Sequence, residues 1–111
     1  AAQGGEGLRG IGACSGQVEG VAAVLADAAE GAALDGPRVV VTRQTDPGWA
    51  SVFFLASGLV VERGGMLSHG AIIAREFGIP AVVGVTDATR RLASGQRLFV
   101  DGDRGEVRIL G

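Results

Sequence analysis

Three short valine-rich runs constrain the fold of this chain most: RVVVT at 38–42, GLVVE at 58–62 and IPAVVGV at 79–85. β-Branched side chains favour a pleated backbone, so each run reads as a strand. RVVVT does not alternate polar with apolar residues, which is the pattern of a strand buried on both faces at the centre of a sheet. The segments between and after these runs carry helix punctuation. QTDPGWASVFFLASG (44–58) offers Asp46 as N-cap, Pro47 at the first helical position and Gly58 as the stop. SHGAIIAREFG (68–78) offers Ser68 as N-cap and Gly78 as the stop, and TDATRRLASG (86–95) reads as a third capped helix.

Elsewhere the elements are short and separated by turns. LRGIGACSG (8–16) and QVEGVAAVLA (17–26) read as strands divided by a glycine turn, and DAAEGAAL (27–34) is weakly helical before the Asp-Gly-Pro turn at 35–37. QRLFV (96–100) and EVRIL (106–110) form a hairpin around DGDRG. Residues 1–7, AAQGGEG, read as a flexible N-terminal linker, leaving 8–111 as one domain. The 20 glycines among 111 residues show no three-residue period, so they mark tight turns and not a collagen-like repeat. The expected fold class is α/β, a compact sandwich with a mixed sheet, short helices and a C-terminal β-hairpin.

Composition removes several kinds of chemistry. The net charge is −2 and all ten basic residues are scattered arginines, which form no phosphate-tracking stripe; no nucleic-acid partner is expected. The absence of lysine rules out a Walker-type phosphate lysine and a Schiff base. A single cysteine cannot form an internal disulfide, and a single histidine cannot form a His-pair metal motif, so no metal site is expected. No stretch approaches ~20 unbroken apolar residues and no signal-like segment opens the chain, so the expectation is a cytoplasmic protein without a membrane partner.

Several patterns have bland explanations. GEGLRG (5–10) has dinucleotide-motif spacing but lacks the preceding strand and following helix. Asp101-Gly102-Asp103-Arg104-Gly105 is explained by a hairpin turn and lacks the downstream glutamate of a calcium loop. Cys14 reads as a buried thiol in a strand, and Trp49, Phe53 and Phe54 read as core.

The only imidazole, His69, follows Gly64-Gly65 and Ser68 at the expected first residue of a helix. The first turn of a helix leaves backbone N–H groups unpaired and carries about half a positive charge, which favours an anion, commonly phosphate. A metal ligand would want partners, a general base a substrate pocket, and a phosphoryl acceptor one exposed ring nitrogen beside an anion site. Spacing alone leaves both the last reading and a merely polar helix-start residue open.

GGMLSHGAIIAREFGIPAVVG (64–84) resembles the phosphohistidine, or swivelling, domain of phosphoenolpyruvate-utilising enzymes, a family that includes phosphoenolpyruvate synthases, pyruvate phosphate dikinases and rifampin phosphotransferases. VVVTRQTDPGW (39–49) resembles the family's strand and loop before that motif, GIGACSGQVEG (10–20) its opening Gly-rich strand pair, with Cys14-Ser15 where Ser-Pro is commoner, and VDGDRGEV (100–107) its closing hairpin. The resemblance implies a swivelling β/β/α sandwich whose His69 is transiently phosphorylated at Nε2. It gives Ser68 the role of capping the helix and hydrogen-bonding the phosphoryl group or ring, and Gly65 and Gly70 that of keeping the approach open. Thr42 aligns with a threonine that orients the histidine. Arg75 is the motif arginine; six residues beyond His69 it lies roughly 120° round the helix, so packing or a salt bridge is as reasonable as phosphate contact.

On this resemblance the domain shuttles phosphate between an ATP-grasp nucleotide-binding domain and a domain binding PEP, pyruvate or another acceptor. It binds no cofactor itself, and ATP and Mg belong to its partners. A subunit using His69 as general acid or base, and a non-catalytic phosphate-binding module of the same fold, are the alternatives.

Overall fold

The computed structural model describes residues 7–34 and 36–111. Eight strands, β1 (Gly7–Arg9), β2 (Ile11–Cys14), β3 (Gln17–Val24), β4 (Arg38–Thr42), β5 (Ala56–Val61), β6 (Ala81–Val83), β7 (Arg97–Asp101) and β8 (Glu106–Ile109), form one sheet in the order β1-β8-β7-β3-β4-β5-β6-β2. The pairs β3/β4, β4/β5 and β5/β6 are parallel and the others antiparallel, so the sheet is mixed as expected. The helices are short: α1 (Ala50–Phe53), α2 (His69–Phe77) and α3 (Ala88–Arg91). The linker assigned to residues 1–7 falls on residues outside the described range, except Gly7, which begins β1 opposite Arg108.

The valine runs lie at the sheet centre and are buried on both faces. Val39, Val41, Val60 and Val82 face one core with Leu8, Leu98, Val100 and Val107 from β1, β7 and β8, closed by Ala88 and Leu92 beside α3. Val40, Leu59, Val61 and Val83 face a second core against Trp49, Val52 and Phe53 of the α1 region and Ala71 and Ala74 of α2. β7 packs across β5 and β6 as well as pairing with β3. The result is strand layer upon strand layer upon helices, the β/β/α sandwich.

Three local expectations need correction. Gly58 does not stop a helix: Pro47–Trp49 is a 3-10 turn, α1 lasts one turn, and Gly58 lies inside β5. The β propensity of Val60 and Val61 and the pairing of β5 between β4 and β6 outweigh the helical pattern before them. Phe54 is 77% exposed and meets Phe77 edge-on at 5.2 Å, whereas Trp49 and Phe53 are core. The weakly helical segment is as expected: residues 28–33 form a 3-10 helix, its N-terminus held by the Asp27 carboxylate accepting from Glu30 N. Finally, the two opening strands are not neighbours, since β2 pairs with β6 and β3 lies between β7 and β4.

One residue, Gly10, separates β1 and β2, yet these strands occupy opposite ends of the sheet order. Both ends therefore meet at the β7–β8 turn. Gly10 N donates to Gly105 O (2.9 Å) and Gly102 N to Gly16 O (2.8 Å). Buried Asp101 shapes this turn: one carboxylate oxygen accepts from the N–H groups of Asp103 and Arg104, the other from Gln17 Nε2. The backbones approach so closely that a Cβ on Gly12 would overlap the Gly102 carbonyl, and one on Gly102 the Cys14 carbonyl. Gly102→Ala should therefore cost about 1–3 kcal/mol or more, because backbone rather than a side-chain tip must move. Urea unfolding should show this, with Gly111→Ala, which meets nothing, as the unchanged control.

Candidate functional site

The parallel strands β4 and β5 end side by side. Their ladder continues past the strands through Glu62 N to Thr42 O and Arg63 N to Arg43 O, both 2.9 Å. The loops leaving them, 43–46 and 62–68, are thus neighbours at the carboxyl edge of the parallel strands, where open α/β sheets place ligands. α2 starts at the end of the second loop. Gln44, Thr45, Arg63, Gly64, Ser68 and His69 surround an open pocket of about 300 Å³ there.

His69 is the first residue of α2 and half-buried. Its Nδ1 lies 2.9 Å from Thr45 Oγ1. Among the described residues Nε2 has no hydrogen-bond partner, so the threonine occupies one ring nitrogen and leaves the other to the pocket. The ring contact expected of Thr42 is made by Thr45 instead. Thr42 is fully buried at the end of β4, with its hydroxyl 3.5 Å from Gln44 O. It shapes the loop and does not touch the ring.

Ser68 occupies the N-cap position with extended backbone, but its side chain makes no capping bond. Its hydroxyl donates instead to Gly65 O at 2.7 Å, and its N–H reaches the same carbonyl at 3.1 Å. Ser68 thus closes the glycine loop and leaves the first N–H groups of α2 without a side-chain cap, available to an anion. The glycine that this loop requires is Gly64, at φ 109°, where a Cβ would come within 2.7 Å of Ser68. A Cβ on Gly65 would meet open space. Gly70 is buried: a Cβ there would stand 3.3 Å from both Thr45 Oγ1 and Val61, so its absence lets α2 and Thr45 approach. Gly70 serves the Thr45–His69 contact more than an open entrance.

Arg75, near the end of α2, makes no salt bridge among the described residues. It donates from Nη1 to Ala13 O (3.0 Å) and from Nη2 to Met66 O (2.7 Å), tying the loop before His69 to β2. Glu62, next to Arg63, accepts from the hydroxyl (2.7 Å) and N–H (3.0 Å) of Thr89 and lies 3.9 Å from Arg43. The Thr89 hydroxyl first, then its amide, hold this carboxyl below the usual glutamate range against the cost of burial. It caps α3 from outside, as no side chain within that helix does.

Among the described residues no three or more His, Cys, Asp or Glu side chains are grouped to hold a metal ion. No helix there is long and apolar enough to cross a membrane. Cys14 is a half-buried free thiol on β2. The residues missed from sequence are Thr45, Arg63 and Gln44. Their signal was positional, since each follows the end of one of two adjacent buried strands.

Thr45→Val keeps the volume of the side chain and removes the partner of Nδ1. It should cost about 1 kcal/mol of stability. In nitrogen-15 spectra of His69, one dominant tautomer in the wild type should give way to a mixture. An unchanged tautomer ratio would show that Thr45 does not orient the ring.

Residues 34–105 match the family model described as PEP-utilising enzyme, mobile domain. The chain is 50% identical over 103 residues to a rifampicin phosphotransferase of Streptomyces sviceus, and 45% identical over 101 residues to a phosphoenolpyruvate synthase of Aeropyrum pernix. These alignments cover 93% and 90% of this chain but only 12% of each relative's length. The solution structure of an Enzyme I protein superposes with a TM-score of 0.62 at 33% identity, over 71% of this chain and 33% of that one. With the swivelling sandwich and the Gly-Gly-x-x-Ser-His loop both in place, the chain belongs to the mobile-domain family of PEP-utilising enzymes.

Proposed function

We propose that this domain is a phosphoryl carrier, with His69 Nε2 as the atom that takes up and releases the group. The observation that carries this reading is the Thr45 Oγ1–His69 Nδ1 contact, which leaves Nε2 as the nitrogen open to the pocket. In the neutral ring with hydrogen on Nδ1, the Nε2 lone pair attacks phosphorus. The Nε2–P bond forms as the P–O bond to the donor breaks, and the leaving oxygen keeps that bonding pair. The Nδ1 hydrogen stays on the ring, donating to Thr45, and the ring's positive charge faces the phosphoryl anion. Transfer to an acceptor oxygen reverses these steps.

Phosphoryl transfer needs positioning and charge neutralisation at the donor. The His69 pocket is lined by no lysine and no carboxylate, the side chain that usually anchors Mg. On this reading ATP and Mg belong to a partner, an ATP-grasp nucleotide-binding domain, and the acceptor to another that binds PEP, pyruvate or a different substrate. Relatives named rifampicin phosphotransferase and phosphoenolpyruvate synthase, of whose length this chain spans 12%, support a phosphoryl-transfer role within a longer protein. The reading of His69 as general acid or base needs a second titratable proton carrier beside the ring, and the pocket presents Thr45, Gln44, Ser68 and Arg63 instead. A purely binding module would never carry covalent phosphate.

Intact-mass spectrometry tests the proposal. Alone with ATP or PEP and magnesium the chain should stay unmodified. Supplied with the nucleotide-binding domain of a family member as a separate chain, it should gain one acid-labile, base-stable phosphate, slowly because no tether raises the effective concentration. His69→Ala should remain folded and gain none. Phosphate on the His69→Ala chain, or labelling of the isolated chain by ATP or PEP, would contradict the carrier reading.

A further inference from the structure

Three arginines stand around the His69 loop, and two are engaged. Arg75 spends its guanidinium on the carbonyls of Ala13 and Met66. Arg43 approaches the Glu62 carboxylate at 3.9 Å and lines a separate pocket of about 410 Å³. Arg63 differs from both. It lines the same pocket as His69, is exposed, and among the described residues its guanidinium makes no hydrogen bond or ion pair, exerting only a weak pull on neighbouring Glu62. Its backbone is fixed on both sides, by the 2.9 Å bond from its N–H to Arg43 O and by the turn at Gly64.

A phosphoryl group on His69 would bring close to two negative charges into this pocket. The other groups there leave that charge largely unmet. The Ser68 hydroxyl donates to Gly65 O, the Thr45 hydroxyl faces Nδ1, and the Gln44 amide carries no charge. The start of α2 offers about half a positive charge. A guanidinium presents two parallel donors that match two phosphoryl oxygens and bears a full charge at every working pH. Resting on the carrier reading above, we propose that Arg63 is the phosphoryl-binding residue of this site, gripping the non-bridging oxygens of the group as it arrives on and departs from His69 Nε2.

The test uses the chain itself and two probes that need no partner. Phosphoramidate phosphorylates histidine directly, so phosphorus-31 spectra of the labelled chain can be followed against pH. A nearby cation favours the dianion, so Arg63→Gln should raise the titration midpoint of the phosphoryl group by roughly one pH unit, while Arg63→Lys stays closer to wild type. Titrating unlabelled protein with orthophosphate, read from the His69 ring signals, should show binding weakened about tenfold in Arg63→Gln. A merely structural Arg63 would alter neither reading in a folded variant, and the unchanged amide spectrum of Arg63→Gln reports the fold. A wild-type midpoint together with wild-type orthophosphate affinity in Arg63→Gln would overturn the proposal. Neither measurement depends on enzymatic labelling, so failure of the carrier reading appears separately, as wild-type chain left unlabelled by a donor domain.

Discussion

Backbone hydrogen bonds from Glu62 N to Thr42 O and from Arg63 N to Arg43 O extend the β4–β5 ladder beyond the strands and bring two loops into contact. The site depends on that extension. It sets Thr45, three residues past the end of β4, against the ring of His69, eight residues past the end of β5. Neither loop contains regular structure of its own, so their relative position is inherited from a ladder of valines buried on both faces. Gly70 completes the arrangement by letting α2 close on Thr45 and Val61 without a side chain between them.

Much of this was legible in the sequence where one physical signal dominates. RVVVT, GLVVE and IPAVVGV gave their strands because β-branched runs without alternation have few other uses. Gly78 stops α2 in the left-handed conformation that glycine tolerates best. The failures arose where local pattern and tertiary context compete. The helix pattern of 44–58 was cut short because Ala56 and Gly58 are paired with Arg38 and Val39 of β4. Phe54 follows Phe53 in sequence, but only Phe53 faces the core, so their adjacency could not place both inside. The sheet order was beyond reach from sequence, because one glycine between β1 and β2 gives no hint that they part to opposite ends.

At the site, the histidine and its helix were readable and the functions of their neighbours were not. Ser68 stands at the N-cap, where a cap is the default reading, yet its hydroxyl prefers the Gly65 carbonyl that the Gly64 turn brings round. The two threonines of TRQTD are equally good on paper; only the path of the loop decides that Thr42 points into the fold and Thr45 to the ring. The same logic sorts the arginines. Arg75 braces the loop through two carbonyls, while Arg63, which the sequence reading passed over, shares the pocket with His69. A fold of this kind does not itself fix a chemistry. The function argued here rests on which ring nitrogen the loop leaves available.

That point can be measured directly. In chain phosphorylated through a donor domain and labelled with nitrogen-15, phosphorus–nitrogen coupling identifies the nitrogen that bears phosphate. The Thr45–His69 contact predicts coupling to Nε2 alone, with Nδ1 still carrying its hydrogen. Phosphate on Nδ1 would mean that the threonine contact breaks before reaction, and would contradict the account of how this site works.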